Sequence, residues 1–163
     1  MGYTHYWAFK APKKAKGNAD KAEKLYLKAI TDCTKVIKSY YKEHKGTDLS
    51  LAGFSAHCKN GKYGGLDVNG KGDLGHENLY LLEHFRQAVD EGFQFCKTAE
   101  KPYDIVVVAC LAILKYRLKD LIDVSSDGDA TGWNNGVELA RQVLKLKIDN
   151  PIEPSQGDLK LVA

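Results

Sequence analysis

Four short segments of this chain bunch hydrogen-bonding, aromatic and ionisable side chains. They are Gly2-Tyr3-Thr4-His5-Tyr6-Trp7, Asn69-Gly70-Lys71-Gly72-Asp73-Leu74-Gly75-His76-Glu77, Phe95 to Asp104, and Ser125-Ser126-Asp127-Gly128-Asp129. A core does not need such residues. A pocket for a polar ligand does, because it needs a few placed donors and acceptors beside apolar walls.

The chemistry differs between the segments. In the first, alternation along a strand puts Tyr3, His5 and Trp7 on one face and Thr4 and Tyr6 on the other. An imidazole between two aromatics suits a stacked base or sugar, with His5 as donor or general base. The competing reading is a partly buried histidine satisfied by a carbonyl. Asn69, His76 and Glu77 flank a loop whose glycines are spaced like a phosphate cradle. The loop lacks the Rossmann spacing and the Lys-Ser or Lys-Thr ending of a Walker loop, so a hairpin competes. Position 80 is Tyr, so no His-Glu-x-x-His zinc motif is present, and no metal site is expected.

Lys97, Thr98, Lys101 and Tyr103 lie where a helix is expected to start at Pro102. Amides at a helix start carry partial positive charge, and the two lysines add full charge, so this is the expected contact for a phosphate or carboxylate. Asp104 reads as a helix-start acid favoured by the dipole, with a catalytic carboxylate as the alternative. Ser125, Ser126 and Asp127 follow an expected strand and offer hydroxyls to sugar or phosphate oxygens. No Gly-x-Ser-x-Gly elbow accompanies them.

The elements that must position these groups form one α+β domain over residues 1–150, with a C-terminal arm at 151–163. Thr4 to Phe9 reads as a strand. Asn18 caps a helix running from about Ala19 to Glu43, with Leu25, Ala29, Cys33, Val36 and Tyr40 at helical spacing and a lysine-rich outer face. Short segments at Leu51–Phe54, Leu66–Asn69, Asn78–Leu82 and Phe93–Phe95 read as strands of an antiparallel sheet, with turns at Asn60-Gly61 and Asn69-Gly70. Tyr103 to Leu118 is apolar nearly all round until Lys115, as a buried helix must be. Ile122–Val124 reads as one more strand. A last amphipathic helix, capped by Thr131 or Asn134, runs to about Lys147.

Bulk composition limits the function classes. At 163 residues the chain is long enough to bury a sizeable core, and its 44% hydrophobic and 28% charged residues are ordinary for a globular protein. No apolar run is long enough to span a bilayer, and no signal peptide is expected. Residues 1–47 carry eleven Lys and four acids, a net of +7, so the remainder carries −4 of the total +3. That basic stretch reads as a solvated surface. With Arg only at positions 86, 117 and 141, nucleic acid is not the expected partner. Cys33, Cys58, Cys96 and Cys110 lack metal or redox spacing and read as reduced thiols of a cytoplasmic protein.

Together the four segments resemble a family of small uncharacterised proteins found in bacteria and their phages. That family opens on a Gly-Tyr-Thr-His-Tyr-Trp-like segment, continues with Asn-Gly and a Gly-His-Glu-like loop, then Phe-Cys-Lys-Thr-Ala-x-Lys-Pro-Tyr-Asp, and closes on Ser-Ser-Asp-Gly. The matching residues here are Gly2 to Trp7, Asn69-Gly70 with Gly75 to Glu77, Phe95 to Ala99 with Lys101 to Asp104, and Ser125 to Gly128. The resemblance implies a phage or bacterial cytosolic origin and carries over no activity. Asp129 to Trp133 has no counterpart in that pattern, and no site residue is expected there.

The expected function is binding of a small anionic or nucleotide-like ligand without a cofactor. In a phage such a protein could sequester a host immune signalling nucleotide. The alternatives are a nucleotide-directed hydrolase or transferase, with His5 or His76 as general base and Glu77 or Asp127 as orienting carboxylate, and a protein-binding inhibitor using the basic first helix. A homo-oligomer is compatible with all three.

Overall fold

The computed structural model describes residues 3–47, 49–59 and 62–152, with the backbone alone at 53–59 and 62–64. The chain runs β1 (Thr4–Phe9), α1 (Asn18–His44), β2 (Leu51–Lys59), β3 (Lys62–Gly70), β4 (Leu79–Leu81), α2 (Phe85–Glu91), β5 (Phe93–Lys97), α3 (Asp104–Leu118), β6 (Ile122–Ser126) and α4 (Ala130–Leu144). It is an α+β domain with a long N-terminal helix. The expected Asn60-Gly61 turn lies outside the described residues, as does the arm beyond residue 152.

The strands form two antiparallel sheets, where the sequence suggests one. One has the order β5-β1-β6 and the other β2-β3-β4. The division has a local cause. Between β4 and β5 the chain makes α2, which the strand reading missed. The His84 and Gln87 side chains form a capping box at its start, and the Glu23 carboxylate reaches over from α1 to accept from the Phe85 amide at 2.8 Å and to meet the His84 ring at 2.9 Å. After α2 the chain returns at β5 beside β1 instead of β4, with His5 opposite Cys96.

α3 is the centre. Val106 to Leu114 are all buried, so no face of this helix is left for water. α1 and α4 pack against it, and β6 lies alongside. Leu66, Val68, Leu79 and Leu81 of the second sheet complete one continuous core with the apolar stripe of α1. The buried Asp32 of α1 accepts from the Arg117 guanidinium at 2.8 Å, tying α1 to the end of α3. Several cap and boundary expectations shift: α3 starts at Asp104 instead of Pro102, and Asn69-Gly70, expected as a turn, ends β3. α4 is capped by Asp129, whose side chain accepts from the Gly132 amide, instead of by Thr131 or Asn134. It ends at Leu144. α1 begins at Asn18 itself, after Gly17. β6 runs on to Ser126, two residues past the expected end.

The α3–α4 crossing depends on one absent side chain. A Cβ at Gly136 would stand 2.4 Å from a Val108 methyl and 2.8 Å from the Ile105 carbonyl. Gly136→Ala must therefore push the helices apart. We expect it to lower stability by about 1–3 kcal/mol, although alanine is the better helix former. Chemical denaturation checks this. A variant as stable as the parent would show that the crossing is loose.

Candidate functional site: the cleft at the start of α3

β1 is the middle strand of its sheet, so its alternation sorts the N-terminal segment. His5, Trp7 and Phe9 face inward and are buried, while Tyr6 faces out. The shared face of His5 and Trp7 is as the alternation requires, but it is the core face. Trp7 lines no ligand cleft, and its indole N–H has no partner among the described residues.

His5 sits at the inner end of a polar line. It is fully buried, and its two ring nitrogens are both used. Nε2 lies 2.6 Å from Asp104 Oδ1, and Nδ1 lies 2.7 Å from Ser126 Oγ. A carboxylate only accepts, so Nε2 carries a proton. Ser126 Oγ in turn accepts from the Gly128 amide at 2.9 Å, and its own hydrogen is free to go to Nδ1. The buried Thr98 hydroxyl donates to the same Asp104 Oδ1. Around the imidazole, Tyr3 and Trp133 each stand edge-on with centroids 5.1 Å away. These contacts join β1, β6, α3 and α4 at one point. The His5, Ser126 and Thr98 groups of this line are all paired and so fix its geometry, while the Trp133 indole N–H beside it has no partner among the described residues.

Asp104 is the member that lines the cleft. Its side chain is 16% exposed and lines a cleft of about 240 Å³ together with Tyr3, Glu100, Lys101, Ile105 and Asn135. Oδ1 takes both internal bonds, and among the described residues Oδ2 takes none. The loop above the cleft is strained, since Ala99 and Glu100 both adopt positive φ without being glycine. Backbone strain of this kind collects at functional sites because surrounding structure must hold it. The amides of Thr98 and Ala99 both donate to the Tyr3 carbonyl, which is part of that hold. Gly128 leaves the space for the Tyr3 phenol, where a Cβ would stand 2.0 Å from its oxygen.

The cleft brings together only some of the expected residues. Tyr3 and Lys101 line it, and His5, Thr98 and Ser126 stand behind Asp104. The others do not join them. Tyr103 is buried and donates to the Glu77 carbonyl at 2.5 Å, as a strut under the loop. Glu77 is spent on β5, where its carboxylate accepts from the Lys97 amide. Asn69 closes its own loop: Oδ1 accepts from the Gly70 and His76 amides, and Nδ2 donates to the His76 carbonyl and Asn78. A Cβ on Gly70 would meet the Leu74 carbonyl at 2.2 Å, so that loop is filled by its own backbone and cradles nothing. His76 is exposed on its far side. Lys97, Ser125 and Asp127 follow the outward alternation of β5 and β6, and Asp127 accepts from the Thr4 amide and the Tyr6 hydroxyl.

Sequence reasoning preferred Asp104 as a helix-start acid over a catalytic carboxylate and left it out of the ligand site. It also placed nothing between residues 129 and 133, where Gly132 and Trp133 meet the site. The signal available was Asn135 and Gly136 one turn into a helix, and nothing in a single sequence links them to His5.

Burial pushes the Cys96 thiol up to about 12, with the Glu77 charge adding to it. Burial also raises the Tyr3 phenol to about 12, helped by the charges of Asp104, Glu100 and Asp129 and opposed by the Ser126 hydroxyl. Both groups hold their protons more tightly in the folded chain than their ordinary values of 9.0 and 10.0. Their contribution to stability is complete below pH 9 and is lost as pH rises toward 12. Melting temperature should therefore hold up to pH 9 and then fall across that window. Cys96→Ala should reduce the fall between pH 9 and 10 without removing it, since burial also raises the Cys33 thiol, and a wild-type melt unchanged at pH 12 would contradict both assignments.

No protein-family model, curated protein or solved structure matches this chain.

Proposed function

We propose that the chain binds a small polar ligand, nucleotide-like in its chemistry, in the cleft at the start of α3. The observation that carries this reading is the Asp104 carboxylate. His5 and Thr98 anchor one of its oxygens from behind, and the other is left toward the cleft. Tyr3 and Asn135 offer a hydroxyl and an amide there, and Lys101 offers a positive charge. Ile105 and Val108 supply apolar wall. A ligand that fits has an N–H edge for the carboxylates of Asp104 and Glu100 and an anionic group for Lys101. A base edge bearing an amine, joined to a phosphate, has both. The volume of about 240 Å³ suits a small ligand, just below the usual range of roughly 300–1,000 Å³ for ligand pockets. Retention without turnover is what sequestration of a signalling nucleotide would need.

One observation favours an enzyme as the second reading. Ser126, His5 and Asp104 stand in line at 2.7 and 2.6 Å. The ring is turned the other way from the usual triad, in which the carboxylate meets Nδ1. Ser126 is also absent from the cleft lining. The reacting group at the cleft would then be Asp104, with His5 holding a proton at Nε2.

Calorimetric titration with a panel of nucleotides separates these readings. Lys101→Ala should weaken the anionic ligand by about 1–3 kcal/mol, the worth of a hydrogen bond to a charged group, and Asp104→Asn should weaken it similarly. Lys97→Ala, on the outer sheet face, should bind like the parent. Melting curves run beside each titration identify any variant that loses its fold. Parent affinity in both Lys101→Ala and Asp104→Asn would remove the cleft as the site. Ligand recovered chemically altered would move the assignment to the enzyme.

A further inference from the structure

The outer face of the β5-β1-β6 sheet carries the largest exposed apolar side chains in the described chain. Phe93 is 66% exposed and Phe95 57% exposed, and both lie on β5. Phe93 stacks on Tyr6 at 5.7 Å and leans on Phe95 at 6.4 Å. β5 is also an edge strand. The Thr98 amide donates to the Tyr3 carbonyl, so by alternation Cys96 and Gln94 face β1 and Lys97, Phe95 and Phe93 turn their backbone groups to the open edge. Glu77 occupies that edge at Lys97, accepting from its amide through Oε2 and donating to its carbonyl from its own amide. Phe93 and Phe95 keep an open row of donors and acceptors among the described residues. Proteins usually blunt such an edge with charge, proline or a covering loop.

We propose that β5 pairs antiparallel with β5 of a second copy of this chain, joining two three-stranded sheets into one. The edge itself selects the register. Centring the two-fold on Phe95 would set Phe93 against the partner's Lys97, whose edge Glu77 already fills. Centring it on Phe93 would set Phe95 against the partner's Glu91, which is in α2. Only a two-fold at Gln94 uses both open residues of each strand, with Phe93 opposite the partner's Phe95 and the reverse. The aromatic rings then meet across the strands on one face. Beyond the paired strand residues this register brings the C-terminal end of the partner's α2, with its Glu91 side chain, toward the Lys97 side chain at each end. Glu91 is exposed, and neither residue has an ion-pair partner among the described residues. Backbone, aromatic and charge complementarity thus coincide in one arrangement. The cleft at α3 lies on the inner side of this sheet and takes no part.

Sedimentation over a series of concentrations tests the proposal, with amide hydrogen exchange as the local readout. The parent should reach twice its chain mass of 18.1 kDa, and the Phe93 and Phe95 amides should exchange more slowly as concentration rises. Phe95→Lys should sediment at 18.1 kDa and melt like the parent at dilutions where the parent is monomeric, because its side chain is outside the core. Glu91→Lys should also dissociate the pair, and Glu91→Lys combined with Lys97→Glu should restore it. If Phe95→Lys misfolds, the charge reversal at Glu91 still reads the interface. A parent that is monomeric at every concentration overturns the proposal, as does a dimer that survives both Phe95→Lys and Glu91→Lys. Failure of the double exchange to restore pairing overturns the register.

Discussion

The rest of the structure depends on the burial of α3. Nine consecutive residues, Val106 to Leu114, are buried, so something must cover nearly every side of the helix. Fully burying a large aliphatic side chain is worth about 1.5–3 kcal/mol, and no other element of the chain concentrates so much of it. α1 and α4 cover two sides, and β6 leads directly from its end back alongside it. Gly136 sets how closely α4 approaches. Once α3 is enclosed in this way, its first residue has one place to emerge, between the ends of β1 and β6 and the start of α4.

That emergence makes the site. A helix-start aspartate would ordinarily face solvent, where the dipole favours it. Here β1 brings a histidine to the same place on its inward face, and the Thr98 hydroxyl arrives from the loop after β5. The Ala99-Glu100 turn, with both residues at positive φ, is the cost of returning the chain from β5 to α3 in so few residues while still bonding Tyr3. The polar line and the strained turn are therefore two consequences of one path. They leave a carboxylate held from behind and lining one cleft with a lysine and a phenol.

The same sheet presents a different surface on its other side. β1 alternates His5, Trp7 and Phe9 inward against Tyr6 and Ala8 outward, so adjacent residues serve unrelated purposes. Lys97 and Thr98 divide likewise, one on the outer face and one beside Asp104. This explains why residues bunched in sequence need not share a site. The Phe95 to Asp104 segment contributes to the sheet edge, to a buried strut through Tyr103, and to the cleft through Lys101 and Asp104. Among the described residues no helix is long and apolar enough to cross a membrane.

By itself the sequence determined the elements whose periodicity is strong. β1, α1, α3, β6 and α4 all follow from apolar spacing and turn residues, to within a few positions, because local sterics and one-sided burial dictate them. It also determined that Tyr3, His5 and Trp7 share a face, since strand alternation is fixed by backbone geometry. It could not determine which face is buried. That was decided when β1 became the middle strand over α3, which sent Trp7 to the core and His5 to Asp104. The pairing of β5 with β1, the loop that Asn69 fills with its own backbone, and the use of Glu77 to hold Lys97 are likewise contacts between segments many residues apart. No local propensity encodes them. The cleft is tertiary for the same reason: its carboxylate, phenol and amide come from three elements that only the enclosure of α3 brings together.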